Sequence, residues 1–342
     1  MTFRGRNGTV ARATMWSAGL MLAGTLSAQA QDVVIWGGFP ELADFYERVA
    51  EGMSDEYPDL NVIVEPIGLR DHEKRVALGL SSGLDDATVL ELIGSTANRY
   101  IVNDLLPPAP DDIADFVNDA GNFEPFFRDT ATVDGTVYGV PLFRGQGALF
   151  YNTDMLAEAG LDGPPTTMEE YDDYAAKLTQ RDADGNPTVS GWSLRLSGGG
   201  GGIAEKFWIN MHQFGGALLE PVGDKYRAAY ANEAGLAALR QYVNAVSGDK
   251  TVTIDMPADA AAFQRGQTAM FIRESWVIGD TEKKAPELNY DTALLPRGSI
   301  ALPVNLYVSG GSDAAQDAAW AFAIEANKPE HLIWLLDNVG WL

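Results

Sequence analysis

The stretch from Tyr138 to Asn152, YGVPLFRGQGALFYN, decides how the chain is organised, because two apolar runs enclose a polar centre. GVPL and ALFYN carry the branched and aromatic side chains that favour buried strands. Arg144 and Gln146 stand between these runs, beside glycines, and a buried strand offers no ready partner for a charged side chain. Two interpretations are open from the residues alone. The polar centre is either an exposed loop that solvates its charge, or a segment whose glycines let the backbone approach a ligand closely.

On the N-terminal side of this stretch, strand patterns and helix patterns alternate. DVVIWGGFP predicts a strand that ends in a loop, ELADFYERVAEGMSDEYP has helical apolar spacing, and NVIVEPIG predicts a second strand. DHEKRVALGLSSG predicts a helix, and ATVLELIG predicts a third strand that ends near Ser95. This order indicates an α/β fold with a mostly parallel sheet. Ligands of such folds bind at loops beyond the carboxyl ends of the strands, here residues 36–40, 68–71 and 94–98.

On the C-terminal side, the pattern predicts a second α/β region over residues 153–289. TAMFIRESW predicts a strand of this region, YDTALLP and NLYVSGG predict two later strands, and DAAQDAAWAFAIEA predicts a helix. Between LLPPAP and Tyr138 no regular pattern is evident. The helices predicted for the second region are residues 168–179, 203–214, 233–246 and 258–265.

Two loops imitate known ligand-binding motifs without matching them. The glycine run 198–202 is followed by Glu205 and Lys206 rather than by the Gly-Lys-Ser/Thr of a phosphate-binding loop. We predict a flexible loop near a ligand site, with Arg195 as a contact. Asp182 and Asp184 lie in calcium-loop register, but the first and last ligand positions hold glutamine and glycine, so a tight turn is the favoured interpretation and calcium the minor alternative.

The first 30 residues predict a secretory signal peptide. Three arginines precede the short apolar run MWSAGLMLAGTLS, and Ala28-Gln29-Ala30 forms a small-x-small cleavage site. The alternative, a membrane anchor, needs about 20 apolar residues, which this run does not provide. Because the chain has no cysteine, it lacks the residue that lipid attachment requires. We therefore expect a mature protein that begins at Gln31 and is free in the periplasm.

Charge and residue content exclude several classes of function. The formal net charge of −24 becomes −27 without the three arginines of residues 1–30, and such a surface repels nucleic acid. The three histidines, His72, His212 and His331, lie in separate segments, and thiol chemistry is absent. The Gly-x-Ser-x-Gly match at residues 79–83 lies at the end of a predicted helix and not at the strand-to-helix turn that a nucleophile elbow requires. We expect no enzyme, no cofactor and no metal. Glycoside hydrolysis by paired carboxylates stays open as a distant alternative.

Several segments together resemble the family-1 extracellular solute-binding proteins of ABC importers, the group that includes maltose-binding protein. They are GVPL with LFYNTDMLAEAGLDGPPTTMEEYDDYAAKL, FQRGQTAMFIRESW, ADGNPTVSGW and the segment from SGG to AAQDAAWAFA. The resemblance implies a two-lobe, type II periplasmic-binding-protein fold with a hinge and a ligand cleft between the lobes. One lobe would contain residues 31–143 plus 296–342 and the other residues 144–295, with crossings at Tyr138–Asn152 and near 290–296. Members usually continue past the GWL position, so the resemblance implies either a C-terminally truncated fragment or a trimmed second lobe.

The resemblance also implies a function. A monomeric receptor would capture a sugar or polyol and deliver it to the membrane permease. The alternative is a receptor for a charged solute such as a polyamine or a glycerophosphodiester. Sugars need stacking aromatics and polar hydrogen-bonding groups, each of which also has an ordinary structural explanation such as core packing, capping or solvation. The predicted binding residues are Trp36, Phe39, Ser95, Asn98, Arg144, Gln146, Arg195, Glu274 and Trp276.

Overall fold

The computed structural model describes residues 31–83, 89–195, 199–255 and 259–341. The predicted signal peptide lies outside the described residues. The strands are β1 (Gln31–Gly37), β2 (Leu60–Pro66), β3 (Val89–Ile93), β4 (Thr132–Val133), β5 (Thr136–Val137), β6 (Val140–Asn152), β7 (Gln180–Arg181), β8 (Pro187–Val189), β9 (Leu219–Val222), β10 (Lys225–Ala228), β11 (Met270–Glu274), β12 (Tyr290–Ala293) and β13 (Ala301–Val308).

The helices follow the apolar spacing of the sequence. In the first of them Phe45, Tyr46 and Val49 are buried on one face. The α-helices are α1 (Ala43–Met53), α2 (Leu69–Ser82), α3 (Gly94–Ile101), α4 (Asp111–Asn118), α5 (Pro125–Ala131), α6 (Thr153–Glu158), α7 (Met168–Leu178), α8 (Gly199–Gln213), α9 (Glu233–Val243), α10 (Asp259–Gln264), α11 (Val277–Lys284), α12 (Asp313–Glu325) and α13 (Pro329–Val339). A 3₁₀ turn (Pro40–Leu42) precedes α1. Among the described residues, no helix is long and apolar enough to cross a membrane.

A seven-stranded mixed sheet organises the described residues. Its strand order is β11-β6-β13-β3-β1-β2, and β12 also pairs with β6. β1 pairs in parallel with β2 and β3, whereas β13 is antiparallel to both β3 and β6. The predicted α/β class with a parallel start is therefore confirmed. The chain leaves the part of the sheet that contains β1, β2 and β3 along β6. It returns to that part only in β13, which pairs with β3.

β6 is one continuous strand of 13 residues that serves two parts of the sheet. Residues 140–146 pair with β13, and residues 147–152 pair with β11 and β12. Alternation along the strand places Arg144 and Gln146 on one face and Gly145 and Gly147 on the other. A Cβ on Gly145 would overlap the indole ring of Trp341, so only glycine allows this close packing.

Two apolar clusters flank the crossing strand. The first packs β1, α1, α4, α12 and α13 around the early half of β6, and Trp341 belongs to it. The second consists of residues from Leu149 to Leu295 in the sequence, including buried residues of α7 and the start of β11. These clusters are compatible with the predicted two lobes, whose boundaries stay a prediction.

The structure corrects three local predictions. The flexible loop predicted for the glycine run is wrong, because α8 already begins at Gly199. The third strand ends at Ile93, and Gly94 already begins α3, because a Cβ there would lie 2.8 Å from the carbonyl oxygen of Thr130 and glycine allows the helix to start so close to its neighbour. The stretch without a regular pattern contains α4 and α5, short helices whose eight and seven residues give too few turns for a clear apolar period. In the loop after α7, Asp182 accepts hydrogen bonds from the backbone of Asp184 and Asn186, as the predicted tight turn requires.

Candidate functional site

A cavity of about 250 Å³ lies where the two sides of the sheet meet, and we call it the cleft. One wall comes from the loop after β1, the start of α2, β13 and the chain end. The other wall comes from Arg195, α8, the end of β11 and the residue before α11. The residues that line the cleft are Gly38, Phe39, Pro40, Glu41, Leu69, Arg70, Arg195, Glu205, Arg273, Glu274, Trp276, Leu302 and Trp341.

A second cavity, of about 450 Å³, lies between α5 and α13, and it differs in chemistry. Its lining is mainly leucine, isoleucine, phenylalanine and tryptophan, with two asparagines and one glutamate. The cleft is smaller but combines aromatic rings with several charged groups that converge from different elements. Because binding sites are recognised by convergent polar groups within an apolar frame, the cleft is the stronger candidate site.

A network of buried ion pairs crosses one wall of the cleft. Lys206 contacts Glu274 directly, and its Nζ lies 3.4 Å from Oε1 of Glu205. The guanidinium of Arg195 lies 3.5 Å from the same Glu205 oxygen. Arg273 lies 3.4 Å from Glu274, and its Nε and Nη1 have no hydrogen-bond partner among the described residues. Both atoms are buried and face carboxylates, since Nε lies 3.7 Å from Oδ1 of Asp259 and Nη1 faces Glu274.

Burial and the neighbouring cations have opposing effects on the pKa values of the two glutamates, Glu274 and Glu205. Burial by itself would raise the pKa of Glu274, but Lys206, Arg273 and Arg195 lower that pKa to about 2. Burial raises the pKa of Glu205 despite the opposing effect of Lys206. The pKa of Arg195 is lowered by burial and by the nearby charge of Arg273. Glu274 is therefore a carboxylate throughout the neutral range, held by cations on more than one side.

Aromatic rings complete the cleft. The guanidinium of Arg273 lies over the ring of Trp276, 5.0 Å from its centroid. On the opposite wall, Phe39 packs edge-on against Trp341 with ring centroids 5.6 Å apart. Trp341 also packs against Phe143 at 4.8 Å, which fixes its indole between the core and the cleft. The arrangement offers flat apolar faces next to charged hydrogen-bonding groups.

Four of the nine predicted binding residues line the cleft. Their positions agree with the prediction, and their role in binding stays a prediction. They come from three different parts of the sequence. They are Phe39, Arg195, Glu274 and Trp276.

The other five lie elsewhere, and their role in binding stays a prediction. Trp36 is buried beneath Arg75, whose guanidinium lies 3.8 Å from the ring centroid. Ser95 and Asn98 are exposed on α3, a helix that occupies the predicted loop 94–98.

Arg144 and Gln146 lie on the face of β6 opposite Gly145, the glycine that approaches Trp341. The Arg144 guanidinium lies 5.9 Å from the ring centroids of Phe126 and Phe127. The Gln146 amide donates to the carbonyl of Ile300 at 3.4 Å. Neither residue lines the cleft in this structure, because a strand sends alternate side chains to opposite faces.

Several residues of the cleft and of its ion-pair network were not predicted. Lys206 and Glu205 follow the glycine run, which is the one signal near them in the sequence. Arg273 precedes Glu274, and nothing local distinguishes it from a solvated surface charge. Trp341 stands in the last segment, GW, where nothing local marks a ligand site.

A family model named bacterial extracellular solute-binding protein matches residues 50–334. The chain belongs to this family. Members bind solutes and are not enzymes, as the sequence predicted.

Curated relatives of similar sequence are also binding proteins. A binding protein of Brucella abortus is 22% identical over 328 residues, which is 92% of this chain and 75% of the relative. The lactose-binding protein of Rhizobium radiobacter is 30% identical over 149 residues, which is 42% of this chain and 34% of the relative. The predicted C-terminal truncation is not supported by these comparisons.

Solved structures share the fold. An ABC-transporter solute-binding protein of Thermotoga lettingae with bound α-D-tagatose has a TM-score of 0.77 and 21% identity, with 92% of this chain and 80% of that chain covered. A Mycobacterium tuberculosis protein in complex with glycerophosphocholine has a TM-score of 0.75 and 20% identity, with 92% and 79% covered. The predicted periplasmic-binding-protein fold is confirmed.

Proposed function

We propose that the cleft receives a neutral sugar or polyol. The observation that carries this proposal is the balance of charge around the cleft wall. The network has three cations and three carboxylates, namely Arg195, Lys206 and Arg273 with Glu205, Asp259 and Glu274. A neutral solute can bind such a network without leaving an uncompensated buried charge, which would be costly.

The hydrogen-bonding groups suit hydroxyls. A hydroxyl both donates and accepts, so it can accept from Arg273 while it donates to Glu205 or Glu274. Bonds to charged partners are the stronger kind, and they discriminate a polyhydroxylated solute from an apolar one. Trp276 supplies a ring face for the carbon side of a sugar, whereas Trp341 is buried and supports the wall behind Phe39.

The charged alternatives fit this network less well. A polyamine would need carboxylates in excess, and a glycerophosphodiester would need guanidinium or ammonium groups in excess. The structural likeness to the glycerophosphocholine-bound protein is a likeness of fold and does not place an unbalanced charge in this cleft.

The remaining parts of the proposal concern transport. We infer that residues 1–30 export the protein to the periplasm without a lipid anchor, and that it acts there as a monomer. The lobes, 31–143 plus 296–342 and 144–295, would close over the solute, because a solute that touches both walls binds the closed state better than the open one. The closed form would dock on the membrane permease.

A thermal-shift screen tests the solute class. The probes are D-tagatose, maltose, lactose, D-mannitol, spermidine and glycerophosphocholine. A solute present at about 100 times its dissociation constant stabilises the folded state by about 2.7 kcal/mol, or roughly 4 °C for a chain of this length. We expect such a shift from at least one sugar or polyol. A shift from spermidine or glycerophosphocholine alone would refute the proposal.

A pair of tryptophan variants locates the site. Trp276→Ala removes a ring face from the cleft, and we expect at least about tenfold weaker binding of the stabilising sugar by calorimetry. Trp208→Ala is the matched control, because Trp208 is 38% exposed on α8 and does not line the cleft. Equal affinities for the two variants would place the solute outside the cleft.

A further inference from the structure

The loop that carries Phe39 into the cleft is held by a buried glutamate. Glu91 on β3 is 1% exposed, and its Oε1 accepts hydrogen bonds from the backbone N–H groups of Gly38 at 2.7 Å and of Phe39 at 3.0 Å. The hydroxyl of Tyr46, on α1, hydrogen-bonds to the other carboxyl oxygen. One side chain thus joins the central sheet, the first helix and the cleft loop.

The same residue also orders the other side of the loop. The carbonyl oxygen of Glu91 accepts a hydrogen bond from Nε2 of His72 at 2.7 Å. The His72 ring packs so closely on Gly38 that a Cβ there would lie 2.8 Å from Cδ2. Burial lowers the pKa of His72, which favours the neutral ring, and Nε2 is the donor because a carbonyl oxygen can only accept. The loop is therefore clamped between a carboxyl group and an imidazole.

The surroundings of Glu91 contain no compensating cation among the described residues. The titratable groups that face it are Tyr46 from α1, Glu41 from the 3₁₀ turn and His72 from α2. Arg75, the nearest basic residue on α2, lies over Trp36 and pairs with Glu65. Burial raises the pKa of Glu91 to about 8, against the opposing effect of Tyr46 and the two backbone donors.

We propose that Glu91 is a positioning residue of the solute site: in its neutral form it clamps the loop Gly38–Glu41 against the cleft, and its ionisation loosens that loop. One oxygen accepts from two N–H groups and the other accepts from the hydroxyl of Tyr46. These three donors favour the carboxylate, but burial without a nearby cation opposes it more strongly and raises the pKa of Glu91. Calling the cleft the solute site rests on the proposed function. The clamp itself rests only on the contacts of Glu91.

The pH window follows from linkage. When the loop opens, Glu91 becomes solvated and its pKa returns towards 4.5, whereas the clamped value is about 8. The equilibrium constant for closing the loop is therefore highest below pH 4.5. It falls by up to about tenfold per pH unit between pH 4.5 and 8, and it changes no further above pH 8. A buried carboxylate without contacts to the loop would not make the hydrogen exchange of the loop amides depend on pH in this way.

Amide hydrogen exchange of Gly38 and Phe39 in the free protein tests the clamp. With rates corrected for the intrinsic effect of pH, we expect protection in the wild type to fall by at least about tenfold between pH 5.5 and 7.5 and to level off above pH 8. Glu91→Gln has the shape of the neutral acid, so its protection should not change with pH. Glu65→Gln, on the exposed neighbouring strand, is the matched control and should keep the wild-type slope.

Solute affinity provides the second arm, with maltose and D-mannitol as probes at pH 7. Glu91→Leu removes the acceptors and should weaken binding by at least about tenfold, while Glu91→Gln should stay within about threefold of the wild type. A pH-independent wild-type protection, or an equal slope in Glu91→Gln, overturns the inference even if sugars bind. If the amides behave as expected and neither sugar nor polyol binds, the clamp stands and the proposed function fails.

Discussion

The buried pair of Lys206 and Glu274 should contribute strongly to stability. Their side chains are 6% and 7% exposed, so Lys206→Met would leave a desolvated carboxylate with its nearest cation removed. The neighbouring cations lower the pKa of Glu274 from 4.5 to about 2 even though burial opposes them. Removing one partner of a buried ion pair costs roughly 3–5 kcal/mol, and we expect Lys206→Met to lose about 3 kcal/mol, the lower end of that range.

Differential scanning calorimetry at pH 7 measures the loss. Unfolding entropy of about 2.1 cal/mol/K per residue, over the roughly 310 residues that follow the predicted cleavage site, converts 3 kcal/mol into a lower melting temperature by about 4–5 °C. The matched control is Lys74→Met. Lys74 and its partner Asp71 are 74% and 76% exposed, and such pairs contribute about 0–1 kcal/mol.

The contribution of Glu274 to the free energy of unfolding depends on pH with a definite sign. Because the pKa of Glu274 is depressed in the folded state, its contribution is present above about pH 4.5 and is lost as the pH falls towards 2. Lys206→Met should move this loss to higher pH. The double variant Lys206→Met/Glu274→Gln should be less destabilised than the sum of the single variants, since the uncompensated charge is gone. A melting temperature of Lys206→Met within about 1 °C of the wild type, or simple additivity, would refute the reasoning.

Three further substitutions separate packing from binding. Arg144→Ala should leave sugar affinity within about twofold in calorimetry, because its guanidinium lies near the rings of Phe126 and Phe127 and not in the cleft; a tenfold loss would contradict this. Gly145→Ala should destabilise the protein by about 1–3 kcal/mol in thermal unfolding, because its Cβ would overlap the Trp341 indole; an unchanged melting temperature would show that the indole can move. Trp276→Phe should keep more affinity than Trp276→Ala, since a smaller ring face remains; equal losses would point to a contact other than stacking.

The sequence predicted the fold well because local patterns were consistent with it. Apolar spacing located α1 and α2, and the strand patterns located β1, β2 and β11 within a few residues. α3 was missed because its start depends on Gly94 fitting beside Thr130, a contact between segments far apart in the chain. No local pattern reports such a contact.

The sequence located a cleft residue only where the residue's position at the end of a strand, or in the loop that follows it, determines that it lies at the cleft. Phe39 and Glu274 follow or end strands at the cleft, and the rule on strand ends finds such residues. Arg144 and Gln146 do not line the cleft, because alternation in β6 turns Gly145, which lies between them, towards Trp341. In YGVPLFRGQGALFYN it is therefore Gly145, and not the polar residues, that contacts the cleft wall.

Glu91 shows why the rest needs three dimensions. In ATVLELIG a glutamate within an apolar strand reads as a side chain that points to solvent, because an ionised carboxylate is costly to bury. The structure satisfies it with N–H groups from the Gly38–Phe39 loop and a hydroxyl from α1, between 45 and 53 residues away in sequence. A buried acid is tolerable where its neutral form is fully hydrogen-bonded, so its presence marks a segment that the fold must hold in place. That segment is the loop that places Phe39 in the cleft.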